Sequence, residues 1–352
     1  FIPVRAAFGD RAALDALLDR VTTRPQSRQP LGEIAPIPKM PFATMLRYRV
    51  EAAVFFAFIG FFKLFGLDGA SALGGWLGRN IFYRTRTSQR GRDNLQKAYP
   101  EKSSAEIEAI LLEMWDNLGR TVAEYAHLDK LSMHGPDPRL QVANLEIVDK
   151  AVASGKGVMF VSGHFANWET MPFAAAQYGV EGGEVYRPLN NPYVDRWMVR
   201  QRMANGPKDQ IAKGAQGTRR IFSLLRAGKA IFILVDQKTN EGLPAPFFGR
   251  DAMTTPAPAA LALKLNCIIL PTSNERLSGA RFRVTIHPPL EFAPGGDHDQ
   301  DMHRLTIQIT ESIEQMVRSR PSQWLWIHRR WPKPGDKIRS KRAKALAAQS
   351  ET

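Results

Sequence analysis

The chain has 352 residues, of which 44% are hydrophobic, and carries a formal net charge of +14. This size accommodates one large α/β domain or two small ones with a substantial core. Cys267 is the only cysteine, which excludes an intrachain disulfide and any cysteine-rich zinc or iron–sulfur site. The excess of basic residues indicates acidic partners: nucleic acid, anionic lipid or an acidic protein.

Residues 1–44 are rich in proline and polar side chains. This composition predicts a loosely ordered extension without a core of its own. The organised sequence begins near Met45, which we expect to be the native start, so that residues 1–44 are a candidate for sequence outside the native protein.

An apolar run, AAVFFAFIGFF, occupies residues 52–62. Together with the LFGL that follows Lys63, it approaches the roughly 20 apolar residues that cross a bilayer, provided that Lys63 reaches a lipid headgroup. Arginines before and after the run suit anionic cytoplasmic lipid. We therefore predict a membrane-associating helical segment over residues 45–95, either spanning or interfacial; the alternative is a buried core helix.

The remaining sequence alternates between helical and strand patterns. Residues 104–127 repeat apolar side chains at helical spacing, with Met and Trp on the core face. Further helices are predicted at residues 145–153, 192–204, 217–227 and 299–319. Strands are predicted at residues 157–162, 184–186, 230–235, 267–271 and 281–286. Strands separated by helices predict an α/β fold, a mostly parallel sheet flanked by helices, over residues 96–335.

The clearest candidate for chemistry is His164 in the sequence VSGHFANWET, with Glu169 five residues later. On one continuous helix these two side chains would diverge by about 140°. Pro172 suits the first turn of a helix, so we predict regular helix from Glu169 or Thr170 and a loop before it. Open α/β sheets place their sites in such loops at the carboxyl ends of strands, and a bend there would let the carboxylate meet the imidazole.

This pair of residues suits acyl transfer to an alcohol. A neutral imidazole removes the proton of the hydroxyl, while a carboxylate on its other nitrogen fixes the tautomer and stabilises the imidazolium. An activated thioester donor requires no enzyme nucleophile, and the chain has no G-x-S-x-G motif. The spacing of His164 and Glu169 also recurs by chance around structural histidines, so the spacing alone leaves the function open.

Five sequence blocks are more specific in combination: GKGVMFVSGHFANWE, VYRPLNNPYVD, GKAIFILVDQ, PFFGRDAMTT and WLWIHRRW. By their order and spacing, residues 45–335 resemble the late acyltransferases of lipid A biosynthesis, the lauroyl/myristoyl transferase family of the lysophospholipid acyltransferase superfamily. The resemblance implies that acyl carrier protein, as a thioester co-substrate, donates a fatty acyl group to a hydroxyl of a lipid A precursor. It implies no cofactor, no metal, and a location at the inner membrane with the catalytic domain on the cytoplasmic face.

The resemblance also implies roles for individual residues in these blocks. His164 would be the general base and Glu169 its orienting partner, with Arg202 and Asp236 as further catalytic residues. The candidates for substrate binding are Arg187, Asn191, Gln237, Arg329 and Arg330. The alternatives are ordinary surface charges for Arg187 and Arg202, and a turn cap or a structural ion pair for Asp236.

Three features near the end of the chain carry weaker signals. His328 is a second candidate histidine, for which we expect a structural or docking role. Thr254 and Thr255 are expected to begin a helix with Pro256 in its first turn, in a segment whose prolines depart from the family pattern. Residues 336–352 form a basic tail. The basic run from Arg329 to Lys344, with eight basic residues and one acid, suits anionic lipid or an acidic carrier protein; the alternative is a solvated tail.

Three other functions remain open on the sequence. A related acyltransferase would use a different acceptor, such as a glycerophospholipid or a mannosylated inositol lipid. A hydrolase would use water as the acceptor. A nucleic-acid-binding protein would fit the charge, but the chain lacks an aromatic RNA-binding signature, zinc-ligand spacing and a helix-turn-helix signal, so we expect no nucleic-acid partner.

Overall fold

A computed structural model describes Ile34 and residues 36–240 and 242–332. Most of the predicted extension at residues 1–44, and all of the predicted basic tail at 336–352, lie outside the described residues. The described helices are α1 Phe42–Lys63, α2 Gly66–Asn80, α3 Thr87–Ala98, α4 Ser104–Glu124, α5 Leu145–Ala153, α6 Thr170–Gln177, α7 Pro192–Asn205, α8 Ala215–Arg226, α9 Ala257–Leu265 and α10 His298–Ser319. The described strands are β1 Leu140–Ala143, β2 Val158–Ser162, β3 Gly182–Tyr186, β4 Asp209–Ala212, β5 Ala230–Leu234, β6 Leu243–Phe247, β7 Arg250–Thr254, β8 Ile268–Ser278 and β9 Arg281–Ile286.

The described strands form a seven-stranded sheet in the order β1-β9-β8-β2-β5-β3-β4 and a separate antiparallel hairpin of β6 and β7. Every neighbouring pair in the large sheet is parallel except β8 and β9. Alternate residues of β2 enter two different hydrophobic cores, with Met159 and Val161 in one and Val158 and Phe160 in the other. Helices therefore cover both faces, which confirms the predicted mostly parallel α/β fold.

Several elements differ from the sequence prediction. Strands β1 and β4 were not predicted, because four-residue strands with mixed burial give no apolar run. Helix α4 begins after Ser103, whose side chain and that of Glu106 form a capping box, and it ends at Glu124. Trp115 is buried in the core as predicted, whereas Val122 is exposed. The prediction that Thr254 and Thr255 begin a helix is wrong: Thr254 is the last residue of β7, and helix α9 begins at Ala257 with Pro256 as its N-cap.

The amino-terminal helices α1 and α2 meet at a sharp bend. Gly66, the first residue of α2, has a φ of 63°, a left-handed conformation that glycine adopts without strain. Within the described part of the chain, no single helix has the length and apolar character needed to cross a bilayer. The stretches Phe42–Lys63 and Gly66–Arg84 meet that requirement only as a pair, bent by 118°.

Helix α2 packs unusually closely against α4. A Cβ atom added to Gly74 would lie 2.3 Å from the carbonyl oxygen of Gly119, so only glycine fits at this crossing. The close approach places Ser71 of α2 beside Glu124 at the end of α4, with 2.7 Å between Ser71 Oγ and Glu124 Oε1. Helix α2 is thereby connected to polar groups in the interior of the α/β domain.

Candidate active site

His164 lies in the loop between β2 and α6, at the carboxyl edge of the sheet. Helix α6 begins at Thr170, which confirms the loop that was predicted from Pro172. The segment that follows α10 holds the loop by two backbone hydrogen bonds. Ala166 N donates to Gln323 O at 2.9 Å, and Leu325 N donates to His164 O at 3.2 Å. The loop therefore presents His164 from a defined backbone conformation.

The imidazole of His164 pairs with Asp236, which follows β5. His164 Nδ1 lies 2.8 Å from Asp236 Oδ1, and the backbone N–H of His164 donates to Oδ2 at 2.8 Å. Trp324 Nε1 donates to the same Oδ2 at 2.8 Å. Asp236 is 1% exposed, whereas 17% of the His164 side chain is exposed. The carboxylate faces Nδ1, which leaves Nε2 as the basic nitrogen.

The charge of Asp236 is stabilised by this geometry. Burial by itself would raise its pKa, but the facing imidazole of His164 and the hydrogen bonds between them lower the pKa below its ordinary value. Asp236 is therefore ionised throughout the neutral range. An ionised carboxylate at Nδ1 holds the imidazole in the tautomer that a general base requires.

Two further side chains surround the imidazole. Gln237 Nε2 lies 3.3 Å from His164 Nε2, so the predicted substrate-binding residue Gln237 is adjacent to the basic nitrogen. His328 Nδ1 lies 2.6 Å from the carbonyl of Leu325, and its Nε2 lies 3.3 Å from the carbonyl of Asp236. Burial lowers the pKa of His328. Both of its nitrogens face backbone carbonyls, and the neutral ring donates a hydrogen bond to one of them.

Glu169 has different partners from those that the sequence predicted. Its carboxylate accepts hydrogen bonds from Arg202, with Nε to Oε2 at 2.8 Å and Nη2 to Oε1 at 2.6 Å, and from the hydroxyl of Tyr125 at 2.9 Å. The described residues contain no hydrogen bond between Glu169 and His164. The predicted orienting contact is therefore corrected: Asp236 occupies that position, because the loop directs the side chains of His164 and Glu169 to separate partners.

Arg202 is shared by two buried carboxylates. Besides Glu169, it faces Glu184 of β3, with Nε 3.4 Å from Oε1. Burial raises the pKa of Glu184 to about 7. The positive charge of Arg202 opposes this shift, and the negative charge of Glu169 adds to it. The sequence analysis missed Glu184, because a single glutamate in a short strand carries no distinguishing signal.

Replacement of Glu184 by glutamine is expected to flatten the pH dependence of stability. The raised pKa means that the folded chain holds a proton that the unfolded chain releases at a pKa of about 4.5. The stabilisation is complete below that value and is lost as the pH rises through about 7. We expect the fall in Tm between about pH 5 and pH 8 to shrink by a few °C in Glu184→Gln, with exposed Glu181→Gln as the control. Equal slopes for Glu184→Gln and the wild type would contradict this assignment.

Two accessible cations lie at the same edge of the sheet. Arg187 follows β3 and Lys213 follows β4, and these strands are in parallel register at Tyr186 and Ala212. Both residues are exposed. Surrounding protein lowers the pKa of Lys213, with Asp236 opposing the shift and Arg187 contributing to it. The sequence analysis missed Lys213, because a single lysine after a short polar strand gives no pattern.

Asn191 has a structural role in the described chain. Its Oδ1 accepts from the backbone N–H of Tyr193 at 3.0 Å and so caps α7. Its Nδ2 donates to the carbonyl of Tyr48 at 2.8 Å and to Glu51 Oε2 at 3.1 Å, which ties α7 to α1. These bonds use its hydrogen-bonding capacity within the protein, and a role for Asn191 in substrate binding stays a prediction.

Arg330 is also buried and paired within the protein. It is 1% exposed, its Nη2 donates to Thr254 Oγ1 at 2.8 Å, and its guanidinium lies 4.7 Å from the ring centroid of Phe247. The predicted substrate-binding role of Arg330 stays a prediction. Its neighbour Arg329 is exposed, so a role for Arg329 in substrate binding stays a prediction.

The site combines an aspartate-held imidazole with a parallel α/β sheet. Among the described residues, the ring of His164 is hydrogen-bonded to the side chains of Asp236 and Gln237, and to no serine, threonine or cysteine side chain. The model of the bacterial lipid A biosynthesis acyltransferase family matches residues 39–333. The chain therefore belongs to this family, which confirms the resemblance, and it is an acyltransferase.

Known relatives agree with this classification. The lipid A biosynthesis palmitoleoyltransferase of Escherichia coli is 26% identical over 258 residues, covering 68% of this chain and 77% of that protein. The lipid A biosynthesis lauroyltransferase of the same organism is 23% identical, covering 68% of this chain and 76% of that protein. A phosphatidylinositol mannoside acyltransferase of Mycobacterium tuberculosis is 21% identical, covering 72% and 80%.

Proposed function

We propose that the protein transfers a fatty acyl group from an acyl-carrier-protein thioester to a hydroxyl of a lipid A precursor. The family membership supports the reaction and the class of acceptor. The observation that carries the mechanism is the 2.8 Å contact between His164 Nδ1 and Asp236 Oδ1 beside an accessible ring. In this mechanism His164 is the general base and Asp236 is its orienting partner.

The proposed reaction proceeds in two steps. His164 Nε2 removes the proton of the acceptor hydroxyl while the hydroxyl oxygen bonds to the carbonyl carbon of the thioester. Asp236 stabilises the resulting imidazolium. Collapse of the tetrahedral intermediate breaks the carbon–sulfur bond, and the proton on Nε2 passes to the departing thiolate. Gln237 occupies the place beside Nε2 that the acceptor hydroxyl needs, so binding of the acceptor displaces it.

The remaining charged residues divide into positioning and binding roles. Arg202 is engaged by Glu169 and Glu184, so its charge is used within the protein and it positions the loop instead of binding substrate. Arg187 and Lys213 are accessible, and we assign them to an anionic part of a substrate. A phosphate on the acceptor and the phosphate of the carrier's prosthetic arm have the same chemistry at such a pair.

The apolar surface of the amino-terminal helices supports a location at the inner membrane. Large hydrophobic side chains are exposed along α1, the bend after it and α2: Phe42, Leu46, Val50, Val54, Phe56, Phe61, Leu64, Phe65 and Trp76. Exposed basic residues accompany them, including Arg47, Arg49 and Lys63. An apolar surface with basic neighbours suits the interface of an anionic bilayer, with the catalytic domain on the cytoplasmic face.

Introducing charge into this apolar surface is expected to weaken membrane binding. The double variant Val54→Asp with Leu64→Asp should bind vesicles of phosphatidylethanolamine and phosphatidylglycerol about tenfold or more weakly. The exposed valine and leucine would be buried in the lipid interface, whereas aspartates lose this apolar contact and are repelled by the anionic lipid. Val152→Asp alters an exposed valine of α5 and provides the control. Sedimentation with vesicles measures the effect, and unchanged binding of the double variant would show that the membrane contact lies elsewhere.

Mass spectrometry of lipid A tests the proposed function directly. A bacterial strain without its own late acyltransferase should gain one acyl group on lipid A when it expresses this chain, and none when it expresses His164→Ala. The similarity to the mycobacterial enzyme supports a mannosylated inositol lipid as the second candidate acceptor. Assays of the purified protein with each acceptor separate the two, and thioester hydrolysis without any acylated lipid would overturn both.

A further inference from the structure

A buried polar cluster lies behind the loop that carries His164. We call it the Glu124 cluster, and its members are Ser71, Asn117, Thr121, Glu124, Asn167 and Arg276. Each of these residues is buried. They are therefore inaccessible to a substrate, and the mechanism proposed above makes no use of them.

At the centre of the cluster, Arg276 of β8 pairs with Glu124 of α4. Arg276 Nη1 donates to Glu124 Oε1, and Nη2 donates to Oε2 at 3.1 Å. The other donors of the guanidinium are also used, with Nε to Asn117 Oδ1 at 2.8 Å and Nη2 to Thr121 Oγ1 at 3.0 Å. A buried ion pair carries a large desolvation penalty, and the best-attested reason to retain one is that it specifies a particular geometry.

The geometry that this pair specifies is that of the catalytic loop. Asn167 Nδ2 donates to Glu124 Oε2 at 3.0 Å, and Asn167 Oδ1 accepts from the backbone N–H of Glu169 at 3.2 Å. Thr121 Oγ1 donates to the carbonyl of Ala166 at 2.9 Å. Ala166 has a φ of 45°, a left-handed conformation that alanine keeps only when surrounding contacts enforce it.

The Glu124 cluster contacts the loop at the turn between His164 and Glu169. His164 and Glu169 belong to one short loop, yet the first reaches Asp236 and the second reaches Arg202. The turn at Ala166 separates the two directions, and the Glu124 cluster contacts the loop at this turn. Movement of the turn would move both side chains away from their partners together.

We propose that the Glu124–Arg276 pair is a positioning device for the catalytic loop, acting through Asn167 and the carbonyl of Ala166. The pair does not touch the reacting atoms; it holds His164 in register with Asp236. This inference rests on the proposed role of His164 as the base. It extends that proposal: Asn167, Glu124 and Arg276 affect the rate of the chemical step by positioning His164, and they do not bind substrate.

Hydrogen-exchange mass spectrometry together with kinetics on the full chain tests the proposal. Asn167→Ala removes the side-chain hydrogen bonds of Asn167 to Glu124 and to the backbone of Glu169, and leaves the bond from Thr121 to the carbonyl of Ala166. Glu124→Gln removes the charge at the centre of the cluster. Asp116→Asn is the matched control, because Asp116 lies on the same helix and pairs with Arg120, outside the cluster. We expect amides of residues 164–169 to exchange about tenfold or more faster in Asn167→Ala, with kcat about 100-fold lower and KM changed less than about threefold.

The outcomes separate this proposal from the proposed function. Faster exchange confined to the loop, with loss of kcat and wild-type exchange in the rest of the described chain, supports positioning, and the control should match the wild type in loop exchange, kcat and KM. Wild-type exchange in the loop of Asn167→Ala, or faster exchange without loss of kcat, overturns it; if Glu124→Gln does not fold, Asn167→Ala decides. His164→Ala, assayed in parallel, reports on the proposed function, because the exchange result does not depend on which residue is the base.

Discussion

Replacement of His164 by alanine is expected to reduce kcat by about 10²- to 10⁴-fold, the usual contribution of a general base. The ring is partly exposed and is held by Asp236, so its loss should leave the fold and vesicle binding intact. The measurement is the rate of acyl transfer from acyl carrier protein to a lipid A precursor. It should be made on protein whose Tm lies within a few °C of the wild type.

The control for this variant is His134→Ala. His134 is exposed, and its Nε2 lies 3.5 Å from a backbone carbonyl of α6, at a distance where no strong hydrogen bond is lost. This variant should keep the wild-type rate. Substantial transfer by His164→Ala would show that another group removes the proton.

Replacement of Asp236 by asparagine is expected to cost nearly as much activity, up to about 10⁴-fold. The amide of asparagine would donate to Nδ1 and force the ring proton onto Nε2, the nitrogen that must accept the hydroxyl proton. The shape of the site would hardly change, so Tm should fall little. Because the two residues act as one unit, His164→Ala combined with Asp236→Asn should be no slower than His164→Ala alone.

Glu169→Gln is the informative comparison for Asp236→Asn. The glutamine would leave Arg202 buried with a weakened counter-charge, so the expected effect is a loss of stability, with a smaller decrease in kcat than in Asp236→Asn. Thermal unfolding and steady-state kinetics on both variants distinguish the roles. The opposite ranking, with Glu169→Gln nearly inactive and Asp236→Asn mildly affected, would restore Glu169 as the partner of the imidazole.

The division of roles between the two carboxylates follows from their surroundings. Asp236 accepts hydrogen bonds from the backbone and side chain of the loop that presents His164, so its charge is available to a developing imidazolium. Glu169 is fully occupied by Arg202 and Tyr125. A carboxylate neutralised by a bidentate guanidinium stabilises a second cation less, which favours Asp236 as the functional partner.

Much of the architecture was predictable from local sequence patterns. The apolar runs at β2 and β5 predicted central strands, because strands buried on both faces are apolar throughout. The alternating pattern of β9 gave its bounds without error. The short strands β1 and β4 and the hairpin of β6 and β7 were missed, because their polar and proline-containing sequences differ little from loops.

By itself, the sequence determined that a histidine follows a central strand, and that the chain has the ordered motifs of its family. Only the tertiary structure decided which carboxylate meets that histidine. Ser162 and Leu234 are paired in the parallel register of β2 and β5, so His164 and Asp236 each lie two residues beyond the same pair. Strand register depends on long-range packing, and it therefore brought together two residues 72 positions apart while it left the nearer glutamate to an arginine.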